Sequence, residues 1–311
     1  MEKRIRKDKS LIIIVILLTL ILLSWIISFV LGIQTKRNNK SKSALEKKYN
    51  VVSKELSNKE DELKELEEKL ASYDNIDDNI ESTKREYFNN IKMLEDDIIS
   101  GKTNRKIAYI TFDDGPYYNT YKVLDILDEY GVKATFFTIS MNGQYCYDNK
   151  EADCFQLYKE YVSRGHTIAN HTYTHAIFRG LYNSVDSFMD AIVKQEEHVK
   201  NQTGGYVTNI TRFPGGSSTA KWLKDPIIEQ LRARGYGWVD WSANDGDGGN
   251  LSSTDQAWNN FTSTINDNIE VILFHDYNYY TTAILPDAIT YLQNNGYEIY
   301  PLFYESNKIN K

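Results

Sequence analysis

The chain has 311 residues and a net charge of −7, from 36 Lys+Arg and 43 Asp+Glu. That length holds one large domain or two smaller ones, and no basic stripe suits nucleic acid. All of the net charge lies in residues 101–311, which carry 18 basic and 25 acidic side chains; the first hundred carry 18 of each.

Residues 11–33 are 23 consecutive residues without a charge, long enough to span a bilayer with some tilt. Basic residues flank both ends: Lys3, Arg4, Arg6, Lys7 and Lys9 before, Lys36, Arg37, Lys40 and Lys42 after. Flanking charge alone therefore leaves orientation open. A cleaved signal peptide would have a shorter apolar core and a small-residue site after it, and only residues 41–44 faintly resemble one. The expectation is an uncleaved single-pass anchor over 11–33.

Residues 34–100 read as a helical stalk. Leu45, Tyr49, Val52, Leu56, Lys59, Leu63, Leu66, Leu70 and Tyr73 recur in alternating steps of four and three. Only Lys59 breaks this apolar seam, a marginal length for a coiled coil and for self-association. Residues 75–79 (Asn-Ile-Asp-Asp-Asn) are expected to interrupt the helix. A second amphipathic stretch, Tyr87, Ile91, Leu94 and Ile98, resumes it up to Gly101. The alternative is a solvated helix that packs on its own domain.

From Lys106 onward strands alternate with helices. The strands are expected over 106–112, 133–139, 167–170, 208–213, 236–241, 270–275 and 297–302. The helices fall between them, over 120–130, 151–163, 185–202, 219–234, 253–266 and 282–295. This alternation implies parallel strands joined by right-handed crossovers, as a barrel or an open sheet, with function at the strands' C-terminal ends. Cys146 and Cys154 share one loop after the second strand; in an oxidising compartment they could pair.

The residues that carry chemistry lie at these strand ends. Thr111-Phe112-Asp113-Asp114-Gly115-Pro116 places two carboxylates where a strand breaks into a loop, and two like charges that close need a cation or an Arg. His171 and His175, four residues apart, could wrap one ion; two His and one Asp leave coordination positions for water, the pattern of a catalytic zinc site. Arg212-Phe213-Pro214-Gly215-Gly216 ends another strand with a residue suited to holding a carboxylate. Asp240-Trp241 ends a further strand, and residues 271–275 run into His275, which Asp240 could orient.

In this order the motifs resemble the polysaccharide deacetylases, carbohydrate esterase family four, also called the NodB-homology domain. The resemblance covers about residues 107–302. It implies an α/β fold, a distorted (β/α) barrel of about seven parallel strands, occupying residues 101–311. It implies Asp113 as catalytic base, Asp114, His171 and His175 as ligands of one divalent metal, usually zinc in the family, and Arg212 as the residue that holds the base. Gly215 would give a backbone N–H to the oxyanion, and Asp240 would orient the acid His275. Trp241, Leu273 and Pro214 would line the acetyl pocket. One departure stands out: Gly237 occupies the place, three residues before Asp240, where the fourth motif often has another Asp. The expected activity is metal-dependent N-deacetylation of an acetylated glycan, with peptidoglycan N-acetylglucosamine foremost. The alternatives are an O-acetyl esterase of the xylan type and a non-catalytic, metal-containing scaffold. With that resemblance, residues 1–10 are expected in the cytoplasm and the chain from Gln34 outside the cell.

Overall fold

The computed structural model describes residues 14–28, 39–140, 154–206 and 208–303. Two compact units divide between Tyr87 and Phe88. In the first, residues 14–28 form helix α1 with mostly exposed side chains. No helix among the described residues is long and apolar enough to cross a membrane; the stretch read as an anchor, 11–33, extends past the described helix at both ends. Helix α2 spans Asn39–Ile99, 61 residues. It runs through residues 75–79, where the sequence reading placed an interruption. The reason is that α2 contains no Gly or Pro, and each Asn or Asp costs a helix interior only about 0.7 kcal/mol.

The second unit begins with the last turns of α2. Its strands are β1 (Lys106–Asp113), β2 (Thr135–Thr138), β3 (Thr167–Asn170), β4 (Ile210–Thr211), β5 (Gly237–Trp238), β6 (Ala243–Asn244), β7 (Ile269–His275) and β8 (Tyr297–Ile299). The intervening helices are α3 (Thr120–Glu129), α4 (Cys154–Ser163), α5 (Val185–Thr203), α6 (Lys224–Ala233), α7 (Thr254–Thr264) and α8 (Tyr279–Asn294). Serines cap two of them: Ser184 accepts from Ser187 N–H at the start of α5, and Ser253 from Gln256 N–H at the start of α7.

All strand pairs are parallel, in the order β5-β4-β3-β2-β1-β7-β6, with β8 alongside the start of β1. Of the single strand expected over 236–241, Gly237–Trp238 is realised as β5; β6 follows at Ala243–Asn244, after a step. Val239 N–H donates to Thr211 O at 3.0 Å and Ser242 N–H to Val271 O at 2.9 Å. One short segment thus leaves the β4 edge and joins the β7 edge, and Asp240 and Trp241 sit in the crossing.

Strand alternation sorts the side chains into two cores. Ala108, Ile110 and Phe112 face the helices with Phe136, Ile272, Phe274 and the apolar face of α8. Ile107 and Tyr109 face the barrel interior with Phe137, Val239 and Val271. The end of α2 closes this interior from below: Ile91, Leu94 and Ile98 belong to the same cluster, and Phe88 stacks on Phe303 at 4.6 Å. The amphipathic stretch read at the end of the stalk is therefore the floor of the barrel. Glu95, on the same helical face, is fully buried and accepts from Tyr109 Oη. Burying the three aliphatic side chains is worth roughly 5 kcal/mol. Whether Cys146 and Cys154 pair, left open by the sequence, turns on Cys146, which lies outside the described residues.

Candidate active site

On β1, Ile107, Tyr109, Thr111 and Asp113 alternate inward, so the last of them reaches the upper end of the barrel interior. Arg212 rises there from the end of β4. It is fully buried, and its guanidinium is fixed on all sides. Nη1 donates to Asp113 Oδ1 at 2.7 Å and to Thr111 Oγ1 at 2.8 Å, Nη2 donates to Asp240 O at 3.0 Å, and the plane lies 4.2 Å over Phe137. Burial pushes the Asp113 carboxyl upward, and the Arg212 charge opposes it.

Asp114 adopts a left-handed conformation, φ 72°, which turns its side chain back over the strand end. Its Oδ1 lies 3.6 Å from both His171 Nε2 and His175 Nε2. One ligand atom from each of the three residues lies within 4.8 Å of the others. Two atoms bonded tetrahedrally to one ion at about 2.1 Å would be ~3.4 Å apart, so the spacing fits a dication. The histidine chemistry fits as well. His171 Nδ1 is 2.8 Å from Arg212 O, so it carries the proton and Nε2 presents its lone pair. Burial, with the neighbouring His175, pulls His171 down to about 3, keeping it neutral. Gly115 is required beside this site, because a Cβ there would meet Asp276 Oδ2 at 2.7 Å.

His275 ends β7 in register with Asp113. Its Nε2 is 3.8 Å from Asp114 Oδ2, so that nitrogen faces the site. The other, Nδ1, is 2.7 Å from Asp247 Oδ1, and the His275 backbone N–H donates to Asp247 Oδ2 at 2.5 Å. Burial lowers the imidazole's pKa; the charge and hydrogen bond of Asp247, with Asp114 and Asp113 beyond, outweigh it and raise it to about 10.

This pairing corrects the sequence reading, which gave Asp240 the task of orienting His275. The Asp240 carboxylate accepts from Ser217 N at 2.9 Å and Ser217 Oγ at 2.7 Å, and its carbonyl receives Arg212. Asp240 therefore braces the Arg212 and Asp113 side of the site, and Asp247 the His275 side. The residue that reading missed lies in Asp245-Gly246-Asp247-Gly248-Gly249, which resembles an ordinary turn. The available signal was that another Asp-Gly pair, Asp114-Gly115, already marked a strand end with chemistry.

The other residues expected to line the pocket are placed as follows. Gly215, φ 73°, packs so that a Cβ would touch Ile177 at 3.1 Å; its backbone thus lies beside the loop that carries His175. Pro214 O accepts from Tyr182 Oη at 2.9 Å. Trp241 lies against Gly216 and 5.9 Å from the Arg212 guanidinium. Leu273, two residues before His275 on β7, shares its face of the strand. A carboxylate held by a buried Arg, a two-His-one-Asp cluster and an Asp-paired His thus converge on one space. Such a set can move one proton off a water and another onto a leaving group.

Comparison with known proteins agrees with this geometry. The polysaccharide deacetylase family matches residues 100–234. A peptidoglycan-N-acetylglucosamine deacetylase of Bacillus cereus is 30% identical over 199 residues, which are 62% of this chain and 68% of that protein. A bifunctional xylanase/deacetylase of Pseudobutyrivibrio xylanivorans is 30% identical over 196 residues, 62% of this chain but only 29% of that longer protein. Among solved structures, the catalytic domain of peptidoglycan N-acetylglucosamine deacetylase from Eubacterium rectale has a TM-score of 0.60 and 33% identity. It covers 67% of this chain, and the chain covers 93% of it.

Proposed function

The chain belongs to the polysaccharide deacetylase family, and from that premise we propose that it is a membrane-anchored N-deacetylase acting on an extracellular glycan, foremost the N-acetylglucosamine of peptidoglycan. The observation that carries the reading is the opposed pair, Asp113 on Arg212 and His275 on Asp247, facing the Asp114, His171 and His175 cluster from two sides. The substrate assignment draws on the relatives whose names specify peptidoglycan.

A divalent ion held by Asp114, His171 and His175, with zinc the proposed identity, would polarise the acetyl carbonyl and acidify a water. The protein's own groups do the rest. Asp113 Oδ1 is occupied by Arg212, so Oδ2, which lies 3.6 Å from His171 Nε2 and faces the cluster, accepts the proton of the attacking water. The Gly215 N–H is the proposed donor to the oxyanion. His275, protonated and held at Nδ1 by Asp247, delivers its Nε2 proton to the leaving nitrogen, and acetate and a free amine result. Trp241, Leu273 and Pro214 are the proposed walls of the acetyl pocket.

The test is acetate release from N-acetylglucosamine oligomers, peptidoglycan and acetylxylan by metal-loaded protein. Activity on the first two, lowered about 10²–10⁴-fold in Asp113→Asn, supports the reading. Preference for acetylxylan would favour the second reading, an O-acetyl esterase, to which the similarity with a xylanase/deacetylase points. For the topology, residues 1–10 are placed in the cytoplasm, the anchor at 11–33 and the domain outside. Protease added to intact, wall-stripped cells should then release the domain; a domain cut only after lysis would overturn that placement.

A further inference from the structure

Behind His275, on the side away from the opening, lies a second carboxyl that the mechanism does not use. Asp247 receives both N–H groups of His275, one on each oxygen. Its Oδ2 is also 2.8 Å from Thr281 Oγ1 at the start of α8, and that same hydroxyl is 2.7 Å from Asp245 Oδ2. Both carboxyls and Thr281 are buried.

A hydroxyl carries one proton. It can donate to one carboxylate only, and a second buried, ionised carboxylate at hydrogen-bond distance would face its lone pairs. Both contacts are satisfied when one carboxyl brings a proton of its own. Asp247 is the unsuitable holder, because two N–H donors from His275 already favour its charged form. Asp245 Oδ1 accepts the Asp247 N–H at 3.1 Å, and its Oδ2 points at Thr281.

The surroundings of Asp245 agree. On its own loop the charged neighbour is Asp247; from β7, His275 stands behind Asp247. Helix α8 contributes Thr281 and helix α7 contributes Asn260, which donates to Asp245 O at 3.0 Å, and neither carries charge. No cation among these touches the carboxyl. Burial first, and the Asp247 charge second, push Asp245 up to about 8.

We propose that Asp245 is a positioning residue that holds a proton at neutral pH and, through Thr281, supplies the hydrogen-bond chain that ends on Asp247 Oδ2. Asp245 Oδ2–H donates to Thr281 Oγ1, and Thr281 Oγ1–H donates to Asp247. The Asp247 carboxylate is then held from two directions and stays aligned with the imidazole as its charge changes during turnover. The kinetic part of this inference rests on the deacetylase reading; the protonation part does not.

The experiment uses the full chain and its Asp245→Asn, Asp245→Ala, Thr281→Val and Thr281→Ser variants. In the infrared difference between the parent and Asp245→Asn at neutral pH, the carbonyl band of a protonated carboxyl is expected, fading as pH rises past about 8. Asp245→Asn replaces one neutral donor by another and should keep kcat within about twofold. Asp245→Ala and Thr281→Val should lose about tenfold in kcat with KM little changed, as expected for a misaligned acid, and Thr281→Ser should restore it. Absence of the protonated-carboxyl band overturns the proposal, as does an Asp245→Asn variant that falls as far as Asp245→Ala. If no form of the protein releases acetate, the deacetylase reading fails, and the infrared band still decides the state of Asp245.

Discussion

Asp247→Asn separates two ways in which a carboxylate can serve His275. Asn keeps an oxygen that can accept from Nδ1–H, so the ring stays in its tautomer and place. What it removes is the charge, the leading influence holding the imidazole's pKa at about 10 against the opposing effect of burial. Without it, His275 should titrate no higher than its ordinary 6.5. At pH 8 a histidine of that pKa is only about 3% protonated, while the parent is almost fully so. The fraction of enzyme with a competent acid, and kcat with it, should therefore drop about 30-fold at pH 8. At pH 6 the two proteins should agree within about twofold. A bound dication near Asp114 repels the same proton, so parent and variant are compared at equal metal content. Acetate release from an N-acetylglucosamine oligomer, followed from pH 5.5 to 9, gives both numbers. A loss that is the same at every pH would refute the argument, because it would mean that Asp247 only positions the ring.

Two further outcomes follow from the same geometry. His171→Ala removes the ligand whose tautomer Arg212 fixes, and His175→Ala removes the other imidazole; elemental analysis of either purified variant should show most of the metal gone, and full occupancy in both would sink the ligand assignment. His166 provides a pH test far from metal. Burial, with Lys133 nearby, pulls its pKa from 6.5 to about 4, and Ala134 N–H donates to its Nδ1. The unfolded chain therefore takes up a proton near 6.5 that the folded one refuses until about 4. Stability is fully present above pH 6.5 and falls by roughly 3 kcal/mol as pH drops to 4. His166→Asn, which keeps the acceptor and cannot charge, should lose less over that window in denaturant titrations; an identical decline in both proteins would remove His166 from the account.

The alternation along β1 and β7 was readable because each strand is buried on both faces yet ends in residues no core would choose, Asp113 and His275. The metal cluster was legible for a similar reason: its three members come from two short motifs at strand ends. The partner of His275 was harder. Asp240 and Asp247 stand seven residues apart with a step between β5 and β6, and no periodicity reports how a chain crosses from one sheet edge to another. Distances in space decided which carboxylate faced which cation. The stalk shows the opposite error. Residues 75–79 look like a loop by composition, but polar residues without Gly or Pro do not stop a helix. The position of the barrel floor was half legible: Ile91, Leu94 and Ile98 announced an apolar face, and only the fold says what that face covers.

That floor changes what counts as the smallest intact enzyme. The natural place to cut, judging by where the strands begin, is near Gly101, yet a piece starting there would leave Ile107, Tyr109 and Val271 open to water from beneath. A shortened form must keep its tail back to Phe88 to remain watertight. Cleavage before that residue leaves the domain with its floor in place. Cleavage a dozen residues later sheds one that is prone to clump or be degraded. Where a protease cuts this single helix therefore decides whether the domain survives the cut or is lost with it.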